Sequence, residues 1–196
     1  GKGWDPEISL RPEGLAELER DLMGAVREDV FAMMASSDFR QHCRAIDMMI
    51  ECLQADPALV VANRDHVFKW LVYRLCEGNT TSLVKSLELC AGMLTALKVG
   101  GTRLTNGEAL ILLPCLVEKS GHNSDRVRGL FRSLIRQWTS VSLVCAALMD
   151  GISYSKNSRK RVECVEGYAE YLERHGIESA DCGGRGLPLI ASLVSE

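Results

Sequence analysis

Four times in this 196-residue chain a polar turn is followed by the same apolar stripe. Asp38, Asn79, His122 and Asn157 each stand five residues before an apolar anchor: Cys43, Val84, Val127 and Val162. From each anchor a ladder continues: Cys43, Ile46, Ile50, Leu53; Val84, Leu87, Ala91, Leu94; Val127, Leu130, Leu134, Trp138; Val162, Val165, Ala169, Leu172. Steps of three, seven and ten residues trace one face of an α-helix, the third copy ending one residue later.

The anchors lie 41, 43 and 35 residues apart. A period near 40 in a helical pattern is what stacked helix pairs of the HEAT or armadillo kind produce. The expected fold is therefore all-α: a HEAT-repeat α-solenoid, a flat paddle of stacked antiparallel helix pairs. One copy carries further detail. Pro114, a turn residue (His122) eight later and Val127-Arg128 thirteen later follow the HEAT pattern, the valine packing between layers and the basic residue capping neighbouring turns.

Helix boundaries follow from local chemistry. Residues 1–11 read as an extended leader, and Pro12 suits a first helical turn, with an interruption near Gly24. Ser36-Ser37-Asp38 supplies N-cap residues for a helix to about Ala55. Asp56-Pro57 opens a helix running to Glu77, and Asn79-Thr80-Thr81-Ser82 caps the next, to about Lys98. Thr105 and Glu108 have capping-box spacing. A fourth pair covers about Val141 to Gly176, and Leu187-Pro188 starts a fifth first helix. The domain, residues 12–196, is expected to end within that fifth repeat.

Several function classes are disfavoured. A net charge of −3 argues against general nucleic-acid binding. No apolar run reaches the roughly 20 residues that span a bilayer, so no membrane role is expected. The 8 cysteines never form CxxC, and His42 beside Cys43 has no partner pair at metal-ligand spacing; no metal, cofactor or disulfide is expected. Gly183-Gly184-Arg185-Gly186 lacks a following Lys-Ser/Thr and reads as a linker. No acid, base and nucleophile converge, so an enzyme is not expected. What remains is the edge formed by the turns at 36–40, 78–82, 121–125 and 154–159, a row of rigid loops suited to a large partner.

Asn79-Thr80-Thr81, Phe68-Lys69-Trp70-Leu71, the stretch from Leu113 to Asn123 and Ser155-Lys156-Asn157-Ser158-Arg159 resemble the TOG domains of the microtubule polymerase family that includes ch-TOG and Mini spindles. The likeness covers about residues 12–194 and points to a fifth TOG domain of the plant-like branch. The resemblance implies binding of αβ-tubulin or the microtubule lattice through intra-repeat loops, by a monomeric domain within a larger multi-TOG protein of the cytoplasm, cytoskeleton and spindle. The implied contact residues are Phe39 and Arg40, where many TOG domains carry Trp; Asn79, Thr80 and Thr81; His122 and Asn123; and Lys156, Asn157, Arg159 and Lys160. Phe39 is a smaller anchor than Trp and lacks its indole N–H. A generic HEAT adaptor that binds another protein along its concave helix face fits the repeat equally well and stays open.

Overall fold

The computed structural model describes residues 12–138 and 140–194; the expected leader at 1–11 lies outside the described residues, as does Glu196. Among the described residues there are helices and no strand: α1 (Pro12–Ala25), α2 (Glu28–Met34), α3 (Phe39–Ala55), α4 (Pro57–Ala62), α5 (Arg64–Leu75), α6 (Thr80–Val99), α7 (Asn106–Lys119), α8 (Asp125–Gln137), α9 (Val141–Tyr154), α10 (Ser158–Ala180) and α11 (Gly186–Val194). This is the helical HEAT-repeat class. The chain divides into two compact units, Gly1–Leu112 and Leu113–Glu196.

In the first unit α3 packs along α6, with α4 and α5 also laid on α6 and α1 on α5. Its core is Ile46, Leu71, Leu75, Leu87, Leu89 and Met93, all essentially without exposure. In the second unit α9 packs along α10, and α11 rests on α9.

Among the described residues four helix starts carry Asp or Asn caps: Asp56 accepts from Leu59 N at 3.3 Å to open α4, and three more open α3, α6 and α10. Asp38 accepts from Arg40 N at 2.9 Å, Asn79 from Ser82 N at 3.0 Å and Asn157 from Lys160 N at 3.2 Å. Each satisfies one of the amides that a helix start leaves unbonded, a contribution of about 0.5–2 kcal/mol. The capping box also forms: Thr105 N donates to Glu108 Oε2 at 2.7 Å and Glu108 N to Thr105 Oγ1 at 3.2 Å.

Three features depart from the sequence expectation. The segment from Asp56 to Glu77 is two helices, because Asn63 leaves helical geometry (φ −100, ψ 16). The third helix start is Ser124 and not His122, so that turn is two residues longer. The register of the fourth ladder is also shifted. Val162 is 56 % exposed, whereas Cys164, Tyr168 and Tyr171 are buried.

Counting from the caps Asp38, Asn79, Ser124 and Asn157 reveals the shared stripe. The residues seven, eleven and fourteen positions on are Ser86, Cys90 and Met93 in α6; Phe131, Ile135 and Trp138 in and just after α8; and Cys164, Tyr168 and Tyr171 in α10. All nine are buried, and Ala45 and Met49 occupy the first two places in α3. The tyrosines belong because their hydroxyls find acceptors. Tyr171 Oη donates to Ile135 O at 2.6 Å and Tyr168 Oη to Ala180 O at 3.2 Å. A buried phenol with a bonded hydroxyl behaves as a large apolar residue.

Two glycines are set by close approach. A Cβ on Gly151 of α9 would sit 2.5 Å from Cys164 Sγ and 3.1 Å from Val117 Cγ1. A Cβ on Gly121 would sit 2.6 Å from Asn157 Nδ2. After α10, Cys182, Gly183 and Gly184 all take positive φ, and Asp181 accepts from Gly184 N at 2.7 Å and Gly186 N at 3.0 Å. The glycine-rich segment is thus a tight turn built on one carboxylate.

All eight cysteines are reduced in the structure. Burial pushes the Cys90 and Cys145 thiols up to about 12 and Cys164 to about 11, and the Tyr168 and Tyr171 phenols up to about 12.

Gly151→Ala is expected to destabilise the protein by about 1–3 kcal/mol through overpacking. Combining it with Cys164→Ala, which removes the opposing sulfur, should cost less than the sum of the single changes; urea unfolding of the four proteins checks this. A second expectation concerns pH. The buried thiols and phenols ionise more readily when unfolded than when folded. The stability they confer is therefore fully present below their unfolded pKa values, near 9 and 10. It is lost as pH rises towards the folded values of about 11 to 12. Melting temperatures should fall progressively over that window, and a flat profile would contradict the burial described.

Candidate loop interface

Phe39 opens α3 half-buried, and the Arg40 guanidinium lies over its ring, 5.5 Å from the centroid. The cation covers one aromatic face and leaves the anchor only partly available. In the next turn of the same unit Thr80 and Thr81 are exposed, while Asn79 is half-buried as the cap of α6.

Beneath these two turns lies a polar cluster that pattern reading missed. His42 Nε2 donates to Ser36 O at 2.5 Å, and His42 Nδ1 lies 3.2 Å from Glu77 Oε1. Arg74 Nη1 reaches the same Glu77 oxygen at 2.9 Å, and Ser82 Oγ donates to Glu77 Oε2 at 3.0 Å. Trp70 meets His42 edge-on and donates from Nε1 to Met34 O at 3.1 Å. Arg74 stacks its guanidinium 5.2 Å from the Trp70 ring centre. Burial lowers the Arg74 pKa and the Glu77 carboxylate opposes that effect. A buried cation with this partner remains charged, and losing the partner is expensive. The available signal was the placement of His42 and Arg74 on otherwise apolar helix faces.

In the second unit a different arginine organises the turn at 120–124. Arg128 Nη1 donates to His122 O at 2.7 Å and Asn123 O at 3.1 Å, its Nη2 pairs with Asp125, and its Nε lies 3.4 Å from Glu163 Oε1. Arg132 grips both Glu163 oxygens at 2.7 and 2.8 Å. The basic position inferred from the HEAT pattern thus bonds the carbonyls of its own turn and also reaches α10.

The candidate residues here differ in availability. Asn157 caps α10 and donates from Nδ2 to Gly121 O at 3.3 Å. Lys160 is paired with Glu118 and its side chain is only 14 % exposed. Arg159 donates to Asn123 Oδ1, which ties the two turns together. Lys156 and Asn123 are exposed, and His122 is half-buried with Nδ1 accepting from Ser124 N at 3.1 Å. The structure also adds a candidate that the sequence reading omitted. Tyr154, the last residue of α9 and two residues before Lys156, is 79 % exposed. A tyrosine closing an apolar helix ahead of Ser-Lys-Asn was the available signal.

Elsewhere in the first unit, α3, α4 and α6 border an open, mainly apolar groove of about 850 Å3, with Leu53, Val61, Ala96 and Val99 among its walls. Among the described residues no group of three His, Cys, Asp or Glu could hold a metal, and no helix is long and apolar enough to cross a membrane.

No family model matches the chain. Rice Protein MOR1 is 35 % identical over 189 residues, which is 95 % of this chain and 9 % of that protein. Protein MOR1 of Arabidopsis thaliana is 34 % identical over 192 residues, 95 % of this chain and 10 % of its own length. Protein mini spindles of Drosophila melanogaster is 32 % identical over 170 residues, 84 % and 8 % respectively. The chain therefore spans about a tenth of the length of the curated relatives it matches. Among solved structures, one described as a TOG domain from C. elegans Zyg9 superposes with a TM-score of 0.82 at 25 % identity, covering 87 % of this chain and 65 % of that one. Another, described by the words "TOG-tubulin binding specificity promotes microtubule dynamics and mitotic spindle formation", gives 0.81 at 30 % identity, covering 86 % and 66 %.

Proposed function

We propose, from the premise that this chain is a TOG domain of the family represented by MOR1, Mini spindles and Zyg9, that it binds αβ-tubulin through its intra-repeat turns. It would thereby serve a larger protein that regulates microtubule dynamics in the cytoskeleton and spindle. The observation that carries this reading is the state of the turns themselves: three are capped by Asp38, Asn79 and Asn157, the turn at 120–124 is held by Arg128, and all four carry exposed polar side chains. Loops already ordered lose little entropy on binding. No covalent chemistry is required of such a module. The assignment to the fifth domain and plant-like branch is part of the same reading. Similarity to the rice and Arabidopsis proteins across 95 % of the chain supports the branch.

Residue roles divide by availability. In the first unit Phe39, Arg40, Asn79, Thr80 and Thr81 form the contact set, with Phe39 as a partly shielded anchor. In the second, Lys156, Tyr154 and Asn123 present exposed groups, and His122 lies half-buried beside them. Asn157 and Arg159 are exposed but also bond the neighbouring turn, and Lys160, paired with Glu118, contacts the partner only at its edge. Lys156 supplies charge for the acidic tubulin surface that the resemblance implies.

The alternative of a HEAT adaptor is favoured by one observation. All six residues of α4, Pro57-Ala58-Leu59-Val60-Val61-Ala62, are apolar, yet only Val60 is buried, and Leu59 is 54 % exposed. Together with the adjoining groove this offers a non-loop docking face. Substituting Ala62→Arg there should leave tubulin binding unchanged if the loops bind.

Phe39→Ala should raise the dissociation rate from αβ-tubulin about five- to tenfold, the effect of losing roughly 1–1.4 kcal/mol at a contact. Lys156→Glu should instead slow association and flatten its salt dependence, because rim charges act mainly on encounter. Stopped-flow or surface kinetics on variants with unchanged melting temperatures checks both. Wild-type kinetics in both variants would overturn the loop reading.

A further inference from the structure

The cluster beneath the two turns of the first unit has a connectivity that capping alone does not require. Glu77 Oε1 faces Arg74 Nη1 at 2.9 Å and His42 Nδ1 at 3.2 Å, and Arg74 Nη1 itself lies 2.6 Å from His42 Nδ1. His42 in turn holds the Ser36 carbonyl. Glu77 Oε2 accepts from Ser82, whose backbone amide is bonded by the Asn79 cap of the second turn. One carboxylate thus bridges two turns that are about 40 residues apart in sequence. Trp70 closes the arrangement, lying edge-on to His42, under Arg74, and bonded to Met34 O just before the first turn.

We infer that Glu77 is a positioning residue that sets the spacing between the Phe39–Arg40 face and the Asn79–Thr81 face, so that the two turns engage a partner as one element. This rests on the tubulin-binding reading above. The physical argument is one of charge and burial. Arg74 is 8 % exposed and its Nε has no hydrogen-bond partner, so its stabilisation depends on the groups around Nη1. Because that cation is desolvated, Glu77 cannot leave it without a large penalty. The carboxylate is therefore pinned on one side and can transmit displacement to Ser82 on the other. A carboxylate engaged through both oxygens couples the groups on its two sides, here Arg74 and His42 on one and Ser82 on the other. Glu77 itself carries no contact to a partner in this account; it acts through Ser82 and His42.

The test has two arms, using Glu77→Ala and the conservative Glu77→Gln, which keeps one acceptor oxygen for Arg74, turns an amide N–H towards Ser82 Oγ, and guards against simple unfolding. In the free protein, hydrogen exchange is read at Arg40 and Gln41, whose amides bond Asp38, and at Ser82, whose amide bonds Asn79. Glu77→Ala should speed exchange in both turns, about tenfold or more, with a smaller effect for Glu77→Gln. Acceleration confined to Ser82 would overturn the proposal. In the second arm, Phe39→Ala and Thr80→Glu are combined in a double-mutant cycle of binding to αβ-tubulin. Their effects should be non-additive by about threefold or more in the parent protein and additive in the Glu77→Ala background. Coupling that survives Glu77→Ala would also overturn the proposal. If neither single change affects tubulin binding, the tubulin reading fails, and the exchange arm alone decides whether Glu77 links the turns.

Discussion

A helix cannot start without partners for its first amides, and here that requirement fixes both the turns and the core. Asp38, Asn79 and Asn157 satisfy those amides from their own side chains. The cap sets the first helical residue and, at 3.6 residues per turn, determines which later positions face inward. Positions seven, eleven and fourteen after the cap are buried in α6, α8 and α10 although their chemistry ranges from Ser86 to Trp138. The same caps hold the turns rigid at the surface. In α6 and α10 core register and turn geometry thus follow from the same cap, whereas α8 starts at Ser124 without a side-chain cap and Arg128 holds its turn.

The sequence made the fold class legible because apolar spacing of three to four is a direct imprint of the helix. The capping residues of α3, α6 and α10 and the Thr105–Glu108 box were legible for the same local reason. The fourth register was not. Val162 looks like the natural anchor, but burial fell to Cys164, Tyr168 and Tyr171, since carbonyls at Ile135, Trp138 and Ala180 accept the phenol hydroxyls. A hydropathy pattern cannot see those acceptors. The break at Asn63 and the delayed start at Ser124 are likewise decided by backbone geometry and not by composition.

The candidate site was legible as a set of turns and poorly legible as a set of side chains. Lys160, a contact residue implied by the resemblance, is paired with Glu118, and Arg159 is bonded to Asn123. Partners more than 30 residues away in sequence made those decisions. Tyr154 fell within the fourth turn of the sequence reading but not among its contact residues, and the structure leaves it 79 % exposed at the end of α9. The buried cluster of His42, Arg74 and Glu77 was invisible for a related reason: His42 lies on α3 and Arg74 and Glu77 at and just past the end of α5, two segments each unremarkable alone.

The claim that the turns, and not the apolar groove, meet αβ-tubulin can be tested by mapping hydrogen exchange of the chain with and without saturating αβ-tubulin. The account predicts protection at residues 36–41, 78–82, 121–125 and 154–160, with the walls of the groove around Leu53, Val61 and Val99 unchanged. Protection of those walls with the four turns unaffected would contradict it.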